Sequence, residues 1–477
     1  PVICMKHATE KERQLAKQME TRASDWRMGA IVYQVLVDRF VPSENIEAKA
    51  HLYAPPKQLK AWSDTPKKGQ YLPNERLWSH EIEFWGGDLN SLSTKLEYIA
   101  ELGADVLYLN PIHHAYTNHK YDSIDFKAVS PEFGTREDVK QLADKVHALD
   151  MKLVLDGVFN HMGQNAEIFK AAQNSEQSRY RDWFFFGEGY PNGYRCWDNA
   201  ENLPELNMEL PEVRDYLYGA NDWVVKGYLA DGVDGWRLDV AHDIGFNILQ
   251  ELTSESHKFD SSSLVIGEVW SYPQQWLESL DGIMNLTLRH GIIQLCRGEI
   301  SPRLAAAQLQ QMVTDCDYEG LLKSWLLLDN HDTVRLPELL PDPKAQQLAQ
   351  VLQFTLPGSP NLYYGSELGM RGGDDPEMRA PMDWRLVNDD NQSLKWLKHL
   401  VAIRKQNPAL RYGDFTVIQS DKLLAFVRYT HKVEDTVIVV VNIANRGDGT
   451  LVGPAIEIDE YGRLCRIAQQ LSNPGSH

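Results

Sequence analysis

The chain has 477 residues, 43% hydrophobic and 24% charged, with a formal net charge of −19. That length allows more than one domain and a large core. The acidity argues against nucleic acid and anionic membrane as partners, since both need a basic surface. No apolar run approaches the roughly 20 residues of a membrane span. The first residues, P-V-I-C-M-K-H-A-T-E-K-E-R, lack the apolar stretch of a signal peptide, although a mature chain that has lost one looks similar. Five scattered cysteines (Cys4, Cys196, Cys296, Cys316 and Cys465) show no C-x-x-C spacing. They argue against zinc and a disulfide framework, and for free thiols in a reducing, cytoplasmic compartment.

Residues 1–27 are charged and helix-prone, a tail or a packing helix. Ile31–Phe40 reads as a first strand, followed over 41–83 by a long polar insertion with several prolines. Loops of that length are usually functional or mobile. Helices are predicted over Asp88–Leu102, Thr135–Leu149, Pro211–Leu229, Phe246–His257, Pro302–Thr314, Lys344–Thr355 and Gln392–Gln406, with a short one at Trp276–Leu280. Thr135 with Asp138 three residues on is a capping arrangement. Strands are predicted at Asp105–Leu109, Lys152–Val158, Val233–Val240, Leu264–Gly267, Gly282–Asn285, Ser324–Leu328 and Asn361–Tyr364. Alternation of apolar strands with helices implies parallel βαβ units. About eight of each point to an α/β fold, a closed (β/α)8 TIM barrel, with an open doubly wound sheet as the rival. After about Ala409 the pattern changes to Phe415–Ile418, Leu423–Tyr429 and Thr436–Asn442, a small antiparallel β-domain. The expected division is therefore a segment over 1–27, a barrel over 28–409 and a C-terminal β-domain over 410–477.

Four apolar runs stop at an acid: L-V-L-D at Asp156, W-R-L-D at Asp239, L-V-I-G-E at Glu268 and L-L-L-D-N-H-D at Asp332. In a barrel all C-terminal strand ends open onto one mouth. Singly, each acid reads equally well as a helix cap. Four together, with His161, Arg237 and His331 beside them, read as a site. Arg237 and Asp239 are two apart, so a strand puts both on one face, where the cation favours the ionised acid. A structural ion pair at a strand end is the plainer alternative. Several carboxylates without a reactive cysteine or metal cluster suit glycoside hydrolysis, in which one acid protonates the leaving oxygen and one carboxylate attacks or activates water. Sugar rings also pack on aromatics. The loops supply Trp85, Tyr121, Trp183–Phe186, Tyr190, Tyr194, Trp197 and Trp270, most of which are expected to be ordinary packing.

These motifs resemble the α-amylase family of glycoside hydrolases, family 13, from about Ile31 to Asn442. The matching segments are D-G-V-F-N-H (Asp156–His161), L-P-E-L-N (Leu203–Asn207), G-W-R-L-D-V-A-H-D (Gly235–Asp243), G-E-V-W (Gly267–Trp270), L-L-D-N-H-D (Leu327–Asp332) and G-S-P-N-L-Y-Y-G-S-E-L-G-M (Gly358–Met370). The resemblance implies Asp239 as nucleophile, Glu268 as general acid and then base, and Asp332 as the third, transition-state carboxylate. It implies Arg237 as the partner that keeps the nucleophile ionised, and His161 and His331 as donors to sugar hydroxyls. Tyr121 in H-K-Y-D-S-I-D-F would be the platform under the ring, and Asp375 with Arg379 a pair for the next sugar on the non-reducing side. Asp156 and Asn160 would brace the site. Retention of configuration would set the Asp239 and Glu268 carboxyls roughly 5 Å apart, with neighbouring anions holding Glu268 protonated.

The paired tryptophans of G-W-R-L-D-V-A and G-E-V-W, with H-K-Y-D, are most similar to the neopullulanase, cyclomaltodextrinase and maltodextrin glucosidase group. That resemblance implies α-1,4 bonds of short maltodextrins as substrate, with some α-1,6 activity. The group usually carries a β-domain before the barrel that helps form dimers, whereas here about 30 residues precede the first strand. The oligomeric state is left open. Asp243 stands where many relatives have a calcium-holding His, so no cofactor is required on this reading and no metal is expected. Residues from Asn160 to about Leu210 would be the inserted domain B after strand 3, one wall of the cleft, with R-D-W-F-F-F-G mostly its own core. A glucanotransferase or sucrose-using enzyme on the same machinery is the alternative, and a non-catalytic sugar-binding relative a minor one.

Overall fold

The computed structural model describes residues 9–219 and 224–443, and the backbone of strands Pro454–Ile458 and Leu464–Gln469. The remainder of the expected N-terminal segment, of the helix expected over Pro211–Leu229 and of the C-terminal domain lies outside the described residues, as does Cys4.

Eight strands close into a barrel: β1 (Val32–Val35), β2 (Val106–Leu109), β3 (Lys152–Gly157), β4 (Gly235–Leu238), β5 (Leu264–Val269), β6 (Gly282–Asn285), β7 (Trp325–Leu327) and β8 (Ser359–Tyr363). Each pairs in parallel with the next, and β8 returns to β1. Apart from Lys152 every residue in them is buried. That burial on both faces is why they read as near-continuous apolar runs. The interior changes character along its axis. Val32, Val106, Leu264 and Trp325 pack together towards the N-terminal end. Two residues further along from Val32, Val154 and Gly235 come Gln34, Asp156 and Arg237, and Glu268 stands two beyond Ile266, at the C-terminal mouth. Gly235 opens β4 because a Cβ there would stand 2.4 Å from the Leu264 carbonyl oxygen of β5.

Local detail departs from expectation in several places. β1 ends at Val35, not Phe40: the chain turns tightly at Val37–Arg39, and Asp38 is buried accepting the Trp85 and Gly86 N–H groups. The helix expected over Asp88–Leu102 is two, Leu89–Ser93 and Leu96–Glu101. The one expected over Pro211–Leu229 is seen as Pro211–Tyr218 and Val225–Ala230. Leu286–Cys296 is a helix that the sequence pattern concealed, because it follows β6 without an intervening turn, with Asn285 as its cap. The insertion over 41–83 has structure of its own. Gln58–Leu59 pairs with Glu83–Phe84, Tyr71–Leu72 with Leu77–Trp78, and Tyr53, Leu77, Ile82 and Phe84 form a small core.

Between β3 and the helix Pro211–Tyr218 the chain forms a subdomain held by isolated bridges, among them His161 with Glu205 and Phe184 with Leu206. Its core is aromatic: Phe169 packs edge-on against Phe184 at 5.0 Å and Tyr194 at 4.9 Å. Three strands, β9 (Asp414–Ile418), β10 (Leu424–Tyr429) and β11 (Val437–Val441), form an antiparallel sheet after the barrel. The fully buried Arg428 of β10 ties it down, donating to the carbonyls of Thr355, Leu410 and Gly413 at 2.7, 3.2 and 3.0 Å. The N-terminal segment is a helix, Glu10–Ser24, capped by Thr9 and not a loose tail. It packs through Ala16, Met19 and Arg22, and Arg22 pairs with Asp414 at 2.8 Å.

Candidate active site

The C-terminal mouth of the barrel opens into a cavity of about 830 Å³, lined by Asp239, Glu268 and Asp332. Asp239 and Glu268 come from the ends of β4 and β5 and Asp332 from the loop after β7, so parallel closure brings them together across dozens of residues of sequence. Tyr121, His161, Asp375 and Arg379 line the same cavity.

Arg237 is the hub. It is fully buried, and its Nη1 donates to Asp156 and to Asp239, each at 2.9 Å. Its Nη2 lies 3.0 Å from Glu268 Oε2, off the N–H axis, so that contact is an ion pair and not a hydrogen bond. One guanidinium thus touches three carboxylates.

Those carboxylates are not equivalent. Burial raises the Asp239 carboxyl well above its usual range, reinforced by Glu268 and opposed by Arg237. Burial also acts on Glu268, but Arg237, the Val240 N–H (3.0 Å) and the Trp270 indole N–H (2.8 Å) overcome it and bring the carboxyl down to about 2. Donors to a carboxylate favour its ionised form. The donors around Glu268 thus favour its ionised form, while burial favours the protonated form of Asp239. The sequence argument counted neighbouring anions but had no view of the Arg237 ion pair or of the two N–H donors. Val240, a β-branched residue, makes its hydrogen bond from φ +49°, in the left-handed region. Such conformations cost about 1–3 kcal/mol and collect at functional sites.

A chain of hydrogen bonds fixes the aromatic side of the cleft. Gln34 Nε2 donates to His331 Nδ1 at 2.9 Å, leaving the ring proton on Nε2. That nitrogen lies 2.6 Å from the Tyr121 hydroxyl and 3.1 Å from Asp332. The Tyr121 hydroxyl in turn donates to Asp156 at 3.0 Å, and its ring stacks on His331 with 8° between planes. Burial, with Arg379 and Arg237 nearby, holds His331 neutral. Burial also lowers His161, to about 4. His161 spends Nε2–H on the Tyr121 carbonyl at 3.0 Å, and its ring stacks on Trp197. Its expected hydroxyl-donor nitrogen is therefore engaged within the protein. Asp332 is raised by burial against the pull of Arg379, whose Nη2 lies 3.3 Å away. Arg379 also meets Asp375 at 3.3 Å. Asp156 receives Tyr108, Tyr121 and Arg237, and is enclosed as a brace.

Of the aromatics singled out, Tyr121, Trp197 and Trp270 line the cleft. Trp85 is buried under Arg39, and Trp183, Phe184 and Tyr194 are subdomain core. The sequence reading missed Tyr71, Arg76, Trp78 and His80, which reach the cleft from the 41–83 insertion. The one sequence signal is faint: Y-L and L-W flank P-N-E-R as a very short hairpin would. Among the described residues no group of three or more His, Cys, Asp or Glu is arranged to hold a metal ion. Cys196, Cys296 and Cys316 are free.

A closed parallel barrel with acids gathered at its mouth, beside aromatic platforms, is the arrangement of a glycoside hydrolase. The chain belongs to the α-amylase family: residues 34–387 match the model of the alpha-amylase catalytic domain. It is 31% identical to neopullulanase 2 of Thermoactinomyces vulgaris over 92% of this chain and 72% of that protein. It is likewise 31% identical to a cyclomaltodextrinase of Geobacillus thermopakistaniensis over 89% of this chain and 70% of the relative. Among solved structures it resembles the ligand-free cyclic alpha-maltosyl-(1→6)-maltose hydrolase of Arthrobacter globiformis. That match has a TM-score of 0.78 and 30% identity, covering 89% of this chain and 93% of the other.

Proposed function

We propose that this enzyme hydrolyses α-1,4 bonds, and with them α-1,6 bonds, in short maltodextrins by double displacement with retention. Asp239 is the nucleophile, Glu268 the acid and then the base, and Asp332 the third carboxylate. The observation that carries this reading is the single guanidinium of Arg237 shared by Asp239 and Glu268, with Asp332 on the same cavity.

Catalysis needs the proton on Glu268 and the charge on Asp239. Glu268 then gives that proton to the leaving oxygen while Asp239 attacks C1 and the C1–O bond breaks. Glu268, now a base, takes a proton from water, whose oxygen displaces Asp239 from C1. Asp332 and the ionised Asp239 offset positive charge developing on the ring. Tyr121, held by Asp156 and His331, gives the ring a flat surface.

The related neopullulanase and cyclomaltodextrinases support the substrate class. No metal is needed on this reading; undiminished activity in EDTA is the expected result. We place the enzyme in the cytoplasm, in keeping with its free cysteines. No described helix is long and apolar enough to cross a membrane.

The test is a product profile on maltotriose with wild type and Asp239→Ala. Wild type should yield glucose and maltose, and the variant nothing above background. Longer oligosaccharides as the main products would replace hydrolysis by transfer, and full activity in the variant would end the mechanism.

A further inference from the structure

The insertion that follows β1 is fastened to both walls of the cleft. On the domain B side, Arg76 lies 3.4 Å from the Tyr194 hydroxyl and 3.7 Å from the Glu201 carboxylate, and Gln164 donates to the Glu75 carbonyl at 2.7 Å. On the barrel side, His80 lies 3.6 Å from Asp375, and Glu81 pairs with His119 at 3.0 Å. Asn118 donates to the carbonyls of both His80 and Glu83 at 2.7 Å. Between these anchors the hairpin Tyr71–Leu72/Leu77–Trp78 lines the same cavity as the catalytic acids.

The hairpin presents two large rings to that cavity. Tyr71 and Trp78 meet edge-to-face at 5.8 Å and remain 42% and 41% exposed. Lys68 lies over the Trp78 ring at 5.4 Å, and Trp78 leans on His80. An exposed aromatic pair fixed inside a polar cleft is a place for a sugar's apolar face.

Chemistry gives the cleft a direction. A general acid must face the leaving oxygen, which in an α-1,4-glucan belongs to the reducing-end half. The half beyond Glu268, with Trp270 and His242, therefore takes the leaving portion. The opposite half runs from Asp332 through Arg379 and Asp375 to His80 and the hairpin, and takes the non-reducing portion.

We propose that the insertion terminates the cleft on its non-reducing side, and that the Tyr71–Trp78 pair receives the terminal glucosyl unit, so that the enzyme selects chain ends over chain interiors. This deepens the hydrolase reading above and rests on it.

The experiment compares maltoheptaose with its analogue carrying a 4,6-ethylidene block on the non-reducing glucose, with all cleavage read by chromatography. Wild type should cleave the blocked chain about tenfold or more slowly, the scale on which one misfitting group is discriminated. In the double variant Arg76→Ala/Trp78→Ala the ratio of blocked to free rates should rise towards unity. Because the readout is a ratio within one preparation, partial loss of folded protein does not affect it. Equal rates in wild type would overturn the proposal, as would a ratio that the variant leaves unmoved. Cleavage of neither chain would overturn the hydrolase reading beneath it.

Discussion

The backbone N–H of Val240 donates to the Glu268 carboxylate at 3.0 Å from a left-handed conformation that a β-branched residue rarely adopts. The strain directs a donor at the carboxyl of the proposed general acid. Together with the Trp270 indole, it favours the ionised form of Glu268.

Trp270→Phe removes one of those donors and keeps most of the ring. Loss of a donor to the charged form raises the Glu268 pKa. The acid step needs protonated Glu268, so activity falls as pH rises through that pKa. The alkaline limb of kcat/KM should therefore move to higher pH in the variant. An unmoved or downward limb would show that Trp270 does not hold the acid in check.

Arg237→Met should leave Asp156 and Asp239 without their shared donor. Breaking a buried charge network by removing one partner costs about 3–5 kcal/mol. Denaturant unfolding should register a loss of that size, and activity should fall at least about a hundredfold, the effect of removing one preorganised electrostatic group.

His113 is buried with neither ring nitrogen hydrogen-bonded, packed against Phe126, Tyr228 and Trp236. Burial, with Arg136 nearby, lowers it to about 3. Its folded pKa is depressed below the unfolded value near 6.5, so the unfolded chain takes the extra proton. Stability is therefore complete above about pH 6.5 and declines as pH falls from there towards 3, by about 1.4 kcal/mol per unit for this group. His113→Phe should abolish that share, leaving the variant about 2 kcal/mol more stable than wild type at pH 5 after allowance for any difference at pH 7. Parallel acid profiles for the two proteins would refute the assignment.

Lys120 is fully buried beside Glu132 at 3.3 Å and immediately precedes Tyr121. Lys57 also reaches Glu132, at 3.0 Å. Although burial opposes it, the two cations bring Glu132 down to about 2. Glu132→Gln should destabilise the fold by about 3 kcal/mol, as uncompensated buried charge does, and raise KM by loosening the ring platform. Calorimetry and kinetics on one preparation check both.

The barrel and most of its acids were legible because parallel strands buried on both faces leave unbroken apolar runs, and most carboxylates of the mouth end such a run. Asp156, Asp239 and Glu268 could be found that way without coordinates. Asp332 stands a few residues past β7, where the motif rather than the strand end marks it. The donors to Glu268 were not legible, because they are Val240 N–H and Trp270 Nε1, one a backbone group and the other an orientation. Tyr71 and Trp78 were missed for a related reason. Their hairpin is two residues long on each side, below the length at which alternation stands out from a polar loop.

Arg428 gives the protein a property that belongs to neither module alone. Its four carbonyl acceptors, Thr355, Leu410, Gly413 and Asp414, are spread from the end of the helix Pro343–Thr355 to the start of β9. Trimming the chain back to the catalytic barrel would strip the Thr355 carbonyl of its Arg428 donor, and would uncover the apolar flank beneath the sheet. The two modules should therefore melt in a single cooperative transition, and engineered fusions or cuts at their junction should yield aggregates instead of a smaller working enzyme.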